Sequence, residues 1–147
     1  METHKKKIHV VAALITNRDK FPCVLVAQRA YPLPEWEFPG GKVEQQETCQ
    51  EALQREIEEE LGCIVCVGDW VGQSVVEQEN RIIEMDLFAC DITQGDPEAK
   101  EHLQLRWLDI KDLYTLEWAI ADIPLLPKIQ QYFQQESVLQ RLIGLGS

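Results

Sequence analysis

A helix with capping signals at both ends is the feature that most constrains the fold of this 147-residue chain. Thr48 and Glu51 have the spacing of a capping box, and Gly62 is a natural stop, so a helix is predicted from about Thr48 to Leu61. A rotation of about 100° per residue places four apolar side chains on one narrow stripe, namely Cys49, Leu53, Ile57 and Leu61. This stripe has to be buried, so the helix must pack against another layer of structure.

The same helix carries glutamates on two different faces. Glu56, Glu59 and Glu60 lie beside the apolar stripe, whereas Glu51 and Glu58 point towards solvent. Carboxylates within about 6 Å of each other repel by roughly 3 kcal/mol per pair at an effective dielectric of about 20. A divalent cation would offset most of this repulsion, and oxygen ligands on a rigid element suit Mg²⁺, with Mn²⁺ as the alternative. The competing interpretation is a solvated acidic face that binds no metal.

Two glycines and a lysine precede the helix. Gly40 and Gly41 allow the backbone to approach a ligand closely or to take a positive φ, so a turn is predicted here, with Lys42 directly after it. Backbone N–H groups and an ammonium group suit phosphate oxygens, while the nearby carboxylates suit a cation. The combination indicates a phosphate–metal site, although a Gly-Gly-Lys segment alone indicates no more than a turn.

The rest of the chain alternates between predicted strands and helices, which favours one α/β (α+β) layered domain over residues 1–147. A final helix is predicted around 121–133, with Asp122 as N-cap and Pro124 in the first turn, and whether the segment after Gln134 extends it stays open. Strands are predicted at 7–15, 23–29, 35–38, 63–80, 81–92 and 103–110, with a junction near Glu79–Asn80.

Charge and composition exclude several classes of partner. The net charge of −11 argues against nucleic acid and against an anionic membrane surface. The apolar run at 10–15 is too short for a signal peptide, and no stretch approaches the length of a membrane span. The five cysteines are scattered and odd in number, which fits a reducing cytoplasm. A monomer and a homodimer both stay open.

The helix and the double glycine together resemble the Nudix box, a pattern of glycine, glutamate and arginine at fixed spacing. The one departure is Cys63 at a closing position that is usually aliphatic. The similarity covers about residues 8–133, leaves 134–147 outside, and points to the MutT-like branch of nucleoside triphosphate pyrophosphohydrolases. The matching positions are Gly41, Glu47, Arg55, Glu56, Ile57, Glu59, Glu60 and Gly62.

The resemblance implies an α/β/α sandwich around a mixed sheet and a Mg²⁺-dependent reaction that yields a nucleoside monophosphate and pyrophosphate. It implies that the metal is held by Gly41, Glu56, Glu59, Glu60 and Glu101. The catalytic set that it implies is Glu56, Glu59, Glu60, Arg55 and Lys42. The substrate-binding set is Arg29, Gly40, Lys42, Asp122 and Phe88. Whether Glu56 or a residue of the Glu101 loop accepts the proton from water stays open.

The nucleobase is also open, and Asp122 is the residue expected to read it. An ionised carboxylate can accept the amine of cytosine, whereas a protonated one could also pair with oxidised guanine. CTP or modified dCTP and 8-oxo-dGTP are therefore both candidate substrates. Two other functions stay in view: hydrolysis of another nucleoside diphosphate-linked substrate, and a catalytically inactive nucleotide sensor or interaction module.

Overall fold

A central sheet dominates the computed structural model, which describes residues 5–20 and 22–145. Its strands are β1 (Lys6–Thr16), β2 (Cys23–Gln28), β3 (Trp36–Glu37), β4 (Gly40–Lys42), β5 (Ile64–Gln78), β6 (Arg81–Gln94) and β7 (Gln104–Asp109). The α-helices of the described residues are α1 (Cys49–Leu61) and α2 (Leu126–Leu145). Short 3-10 turns cover Arg18–Lys20, Ile110–Thr115 and Ile123–Leu125.

The sheet is mixed and has β1 at its centre. Its strand order is β3-β2-β1-β6-β5, with β4 also paired to β1 and β7 to β2. β1 and β6 run parallel, whereas the other pairs run antiparallel. β5 and β6 meet at Glu79 and Asn80, whose φ angles of 51° and 62° suit a two-residue hairpin. The predicted α/β class and the predicted strand junction are therefore confirmed.

Both faces of the sheet are covered, which explains why β1 is apolar almost throughout. On one face, the strands share a core cluster with α1 that includes Val11, Ala13, Leu53 and Ile57. On the opposite face, a second cluster joins the sheet to α2 and includes Ala12, Leu14, Leu126 and Ile129. The protein is therefore an α/β/α sandwich, as the sequence predicts.

The two ends of α1 have the caps that the sequence predicts. The Thr48 hydroxyl accepts a hydrogen bond from the Glu51 backbone N–H at 3.1 Å, and the Glu51 carboxylate accepts one from the Thr48 N–H at 3.0 Å. At the other end, Gly62 adopts a φ of 71° and donates its N–H to the Glu58 carbonyl. These caps fix the start and the register of the helix that carries the acidic cluster.

The predicted turn at Gly40–Gly41 is wrong, because these residues form strand β4. Gly41 pairs with Val11 and Gly40 pairs with Ala12 of β1, and neither glycine has a positive φ. A Cβ atom on Gly40 would overlap with the Val11 carbonyl oxygen. Glycine is required here by the close approach of two backbones rather than by an unusual dihedral angle.

Asp122 occupies the predicted N-cap position, with Pro124 in the first turn, but its side chain does not cap the turn. Asp122 precedes a 3-10 turn and makes no side-chain capping bond; its Oδ1 instead accepts a hydrogen bond from the Phe38 N–H at 2.9 Å. α2 begins later, at Leu126, and continues to Leu145, so the helix extends beyond Gln134, a point that the sequence leaves open. Among the described residues, no helix is long and apolar enough to cross a membrane.

We expect Gly40→Ala to destabilise the fold by about 2–3 kcal/mol, because the added methyl group has to displace backbone atoms of β1. Gly144→Ala is the matched control, since a Cβ atom at that position meets nothing within 4 Å. The control should change stability by less than about 1 kcal/mol. Urea unfolding of both variants measures the difference, and equal midpoints would contradict the close-approach argument.

Candidate active site

The glutamates of α1 differ in their environment, as the helical rotation predicts. The exposed fraction of the side chain is 8% for Glu60, 19% for Glu56 and 56% for Glu59. Glu51 and Glu58 are exposed on the outer face. The three inward glutamates therefore form a graded cluster that runs from the protein interior to the surface.

Strand β4 packs closely against this cluster. A Cβ atom on Gly41 would overlap with the carboxyl group of Glu56, so any larger residue would push that carboxylate away from the strand. The contact explains why the glycine and the glutamate occur together, even though 15 positions separate them in the sequence. Gly41 therefore lies directly beside the carboxylates, as a residue that supplies a backbone oxygen to a metal would have to.

Arg55 is the cation that organises the cluster. Its Nε and Nη2 bind the two carboxylate oxygens of Glu47 at 2.8 and 2.9 Å, and its Nη1 binds Glu56 at 2.8 Å. Nη2 also donates to the Lys42 carbonyl at 3.1 Å, which connects the helix to β4. The hydrogen bonds from Arg55, followed by one from the Glu44 N–H, lower the pKa of Glu47 to about 2. Glu47 therefore stays ionised and holds the guanidinium in place.

Glu37 and His102 also belong to the cluster, although the sequence did not identify them. His102 Nε2 lies 3.0 Å from Glu37 Oε2 and 3.8 Å from Glu60 Oε1. The His102 side chain is 4% exposed, and its Nδ1 is buried without a hydrogen-bond partner among the described atoms. Two features of the sequence could have identified these residues. Glu37 is a charged residue between two aromatic ones, Trp36 and Phe38, and His102 directly follows Glu101.

Glu60 carries the strongest sign that the cluster fits a cation. Burial, followed by the charges of Glu56, Glu37 and Glu101, raises the pKa of Glu60 to about 9, although a hydrogen bond from the Gly40 backbone opposes the shift. Its Oε2 is buried and has no hydrogen-bond partner in the described part of the chain. A divalent metal ion would supply both the missing partner and the missing positive charge. The donor atoms are carboxylate oxygens and one imidazole nitrogen, which suits such an ion.

The exposed loop residue Glu101 lies close enough to contribute to the same cluster. Its charge helps to raise the pKa of both Glu56 and Glu60, after burial as the main cause. The predicted metal-ligand set, Gly41, Glu56, Glu59, Glu60 and Glu101, is thus gathered around one end of β4. That these residues bind metal stays a prediction.

A second group of predicted residues lies around Asp122. Asp122 is 2% exposed, and burial raises the pKa of its carboxyl to about 8. The positive charge of Arg29 lowers that pKa and so opposes the effect of burial. Arg29 Nε also lies 3.5 Å from Glu37 Oε1. Phe38, which donates to Asp122, stacks on Trp118 with ring centroids 4.9 Å apart. Glu37 therefore connects the Arg29–Asp122 side of the site to the carboxylate cluster.

Phe88 lies elsewhere, and we withdraw it from the substrate-binding set. It is 8% exposed and belongs to the core cluster beneath α1. Phe38, the hydrogen-bond partner of Asp122, belongs to the cluster on the opposite face of the sheet. The aromatic ring of Phe88 is therefore used for packing and not for contact with a base read by Asp122.

Comparison with known proteins agrees with this geometry, since residues 6–129 match the NUDIX domain family. The chain belongs to the Nudix family. It is 40% identical over 124 residues to the CTP pyrophosphohydrolase of Escherichia coli K12, covering 82% of this chain and 90% of that protein. It is 29% identical over 128 residues to the 8-oxo-dGTP diphosphatase of Haemophilus influenzae, covering 85% and 93%.

The solved structures agree with the assignment. The solution structure of a MutT protein of the Nudix hydrolase family from methicillin-resistant Staphylococcus aureus 252 superposes with a TM-score of 0.69 at 42% identity. The match covers 87% of this chain and 98% of that one. The fold and the enzyme class predicted from the box, a Nudix hydrolase acting on phosphorus anhydrides, are therefore confirmed.

Without divalent metal, we expect the free energy of unfolding to fall as the pH rises from about 5 to about 9. Because the pKa of Glu60 is raised, the folded protein keeps a proton in this range that the unfolded chain has already lost. Glu60→Gln cannot titrate and should make the decline shallower. Asp122 contributes to the same slope, so part of the decline should remain. Denaturant unfolding in the presence of a chelator measures the slope.

Glu58→Gln is the control for this experiment, because Glu58 is exposed on the outer face of the same helix. It should keep the wild-type slope. Added Mg²⁺ should restore stability to the wild type by RT ln(1 + [Mg²⁺]/Kd), with the largest effect at about pH 9 and above, where binding competes least with the proton of Glu60. Equal slopes for wild type and Glu60→Gln would show that Glu60 is not the titrating group.

Proposed function

We propose that the protein is a Mg²⁺-dependent nucleoside triphosphate pyrophosphohydrolase that acts on cytidine-type triphosphates. It would convert CTP or a modified dCTP into the nucleoside monophosphate and pyrophosphate. The observation that carries the proposal is the position of Asp122, a buried carboxyl joined through Phe38 and Glu37 to a carboxylate cluster that needs a cation. The E. coli relative named CTP pyrophosphohydrolase supports the same substrate class.

The residues that would hold Mg²⁺, or Mn²⁺ in its place, are Glu56, Glu59, Glu60, Glu101 and the backbone oxygen of Gly41. When bound, the ion supplies Lewis-acid polarisation of phosphoryl oxygens and lowers the pKa of water. Arg55 keeps Glu56 aimed by binding it at 2.8 Å while anchored on Glu47.

The chain's own charges complete the chemistry. Water attacks phosphorus, the anhydride bond between the α- and β-phosphates breaks, and the proton of the water passes to a carboxylate of the cluster. Lys42, exposed on β4, and Arg29, at the end of β2, neutralise the charge that develops on the leaving pyrophosphate. Gly40, two residues before Lys42 on β4, is the further substrate contact in this proposal, and it would act through its backbone because β1 fills the space beside its Cα.

The protonation state of Asp122 favours cytosine as the base that this residue binds. With a pKa of about 8, the carboxyl is largely protonated at neutral pH. Its Oδ1 accepts from the Phe38 N–H, so the proton belongs on Oδ2, which then donates. Cytosine presents an amine donor at N4 and an acceptor at N3, which match one acceptor and one donor of a carboxylic acid. Both hydrogen bonds of the base edge are satisfied in this arrangement.

Oxidised purine triphosphates are the second candidate. A protonated carboxyl also offers a donor and an acceptor to the edge of oxidised guanine, and the H. influenzae relative is named 8-oxo-dGTP diphosphatase. A sensor without activity is not favoured, because Glu56, Glu59 and Glu60 of the box are all present.

The deciding experiment is turnover of a substrate panel with Mg²⁺: CTP, dCTP, 5-methyl-dCTP, dGTP, 8-oxo-dGTP and ADP-ribose. We expect pyrophosphate from the cytidine-type compounds, with kcat/KM at least about tenfold above that for 8-oxo-dGTP. Glu59→Gln should reduce this turnover at least about a hundredfold, whereas Glu58→Gln should retain it. Preference for 8-oxo-dGTP would favour the second candidate, and nucleotide binding without any turnover would favour the sensor.

The pH dependence of KM tests the role of Asp122 directly. Above pH 8 the wild-type carboxyl is ionised and can no longer donate to N3 of cytosine, so KM for CTP should rise. Asp122→Asn keeps one donor and one acceptor but does not titrate, so its KM should stay level across the same range. Parallel profiles for the two proteins would exclude Asp122 as the group that reads the base.

A further inference from the structure

Three side chains with metal-binding atoms meet beside the start of α1. His9 belongs to β1, Cys49 is the first residue of α1, and Asp86 belongs to β6. Their donor atoms, Nε2, Sγ and a carboxylate oxygen, all lie within 4.8 Å of one another. His9 Nε2 is 2.8 Å from Asp86 Oδ2 and 4.0 Å from Cys49 Sγ. Cys49 and Asp86 are partly buried and the His9 side chain is 40% exposed, so a small ion can reach all three.

The backbone of the fold brings these side chains together. β1 and β6 are parallel neighbours with His9 opposite Glu84, so Asp86 lies two residues further along on the same face of the sheet. α1 packs on that face, because Leu53 and Ile57 share the core cluster with β1. The N-terminal end of the helix therefore brings Cys49 next to the other two residues, although it lies 40 positions from His9.

Asp86 is held in an orientation that favours a ligand role. Trp70 Nε1 donates to its Oδ1 at 2.8 Å and Gln73 Nε2 does so at 3.3 Å, which leaves Oδ2 directed at His9. No lysine or arginine within the described residues forms an ion pair with Asp86, whereas the neighbouring Glu84 is paired with Lys7 at 3.1 Å. The negative charge of Asp86 therefore lacks a permanent cation. The hydrogen bonds from Trp70 and Gln73 already hold its carboxylate in the orientation that a metal ligand needs.

We propose that His9, Cys49 and Asp86 form a second metal site, which binds Zn²⁺. Thiolate and imidazole are ligands that Zn²⁺ prefers and Mg²⁺ does not, so this site differs in chemistry from the carboxylate cluster. Zn–ligand distances of about 2.0–2.3 Å require donor atoms about 3.3–3.7 Å apart in a tetrahedral site. His9 Nε2 is 2.8 Å from Asp86 Oδ2 and 4.0 Å from Cys49 Sγ, so side-chain movements of less than about 1 Å bring both distances into that range.

The protons balance in a simple way. The single N–H proton of the neutral His9 imidazole, which faces Asp86 from Nε2, moves to Nδ1, and the free Nε2 then binds Zn²⁺. The thiol of Cys49 loses its proton to solvent and binds as thiolate. One proton is released, no electron moves, and a water molecule fills the fourth position.

The proposed site lies on the same helix as the carboxylates but at a distance from them. Seven residues separate Cys49 from Glu56, which corresponds to about 10 Å along the helix axis at 1.5 Å per residue. A Zn²⁺ ion would connect β1, α1 and β6 at the end where the helix begins. We infer that it would stabilise the position of α1 without taking part in the proposed hydrolysis.

The test is Zn²⁺ binding to the full-length, tag-free, metal-stripped protein in millimolar Mg²⁺, measured by competition with a chromogenic chelator. We expect one equivalent of Zn²⁺ to bind in the wild type. Cys49→Ser and His9→Gln should each weaken binding at least about tenfold to a hundredfold. Co²⁺ provides a second readout, since a thiolate-to-metal charge-transfer band should form in the wild type and be lost in Cys49→Ser.

Two matched controls separate this site from others. Cys66→Ser removes an exposed thiol elsewhere in the chain and should leave Zn²⁺ affinity and the Co²⁺ band unchanged. Glu60→Gln alters the carboxylate cluster and should also leave them unchanged. Circular dichroism of each metal-free variant verifies folding, and Asp86→Asn provides an independent third ligand change. Unchanged affinity in Cys49→Ser and His9→Gln, or loss in Glu60→Gln instead, would overturn the proposal.

Discussion

Close packing between strand β4 and its two neighbours is the constraint on which the site depends. Gly40 lies against the Val11 backbone of β1, and Gly41 lies against the Glu56 carboxyl group of α1. Because neither glycine has a side chain, the strand can be enclosed between the sheet and the helix. This contact brings Lys42, the carboxylates of α1 and the Arg29–Asp122 region to one side of the molecule. Without this contact, α1 would carry the same charges but would not lie beside the Arg29–Asp122 region.

Electrostatics then divides the acidic residues into different roles. Arg55 is shared between Glu47 and Glu56, so these carboxylates are held in position by hydrogen bonds. Glu60 has no such partner and, in the absence of metal, is neutralised by a proton. The cluster holds more carboxylates than the two arginines that pair with it, Arg55 and Arg29, can neutralise. The fold tolerates this imbalance because a cation can correct it, which fits the chemistry of a Nudix hydrolase.

The sequence predicted the helix, its caps, the unequal faces of its glutamates and the covered sheet, because each depends on local pattern and periodicity. It failed at Gly40–Gly41, where glycine could have signalled a turn and instead permits a close strand pairing. At Asp122 the N-cap position was predicted correctly, but the hydrogen bond from Phe38, 84 positions away, was not. Glu37, His102 and the His9–Cys49–Asp86 group depend on contacts between distant segments, which no local pattern in one chain reveals.

The proton on Glu60 also has a consequence for how the protein matures. A buried carboxylate without a partner would oppose folding, and a chain that needed a metal to remove this charge could fold only where metal is available. A carboxylic acid is neutral, so the polypeptide can reach its native packing first and take up the ion afterwards. The proton thus neutralises Glu60 between α1 and β4 while no metal is bound. Under the proposed Mg²⁺ dependence, folding and metal acquisition would therefore be two separate events.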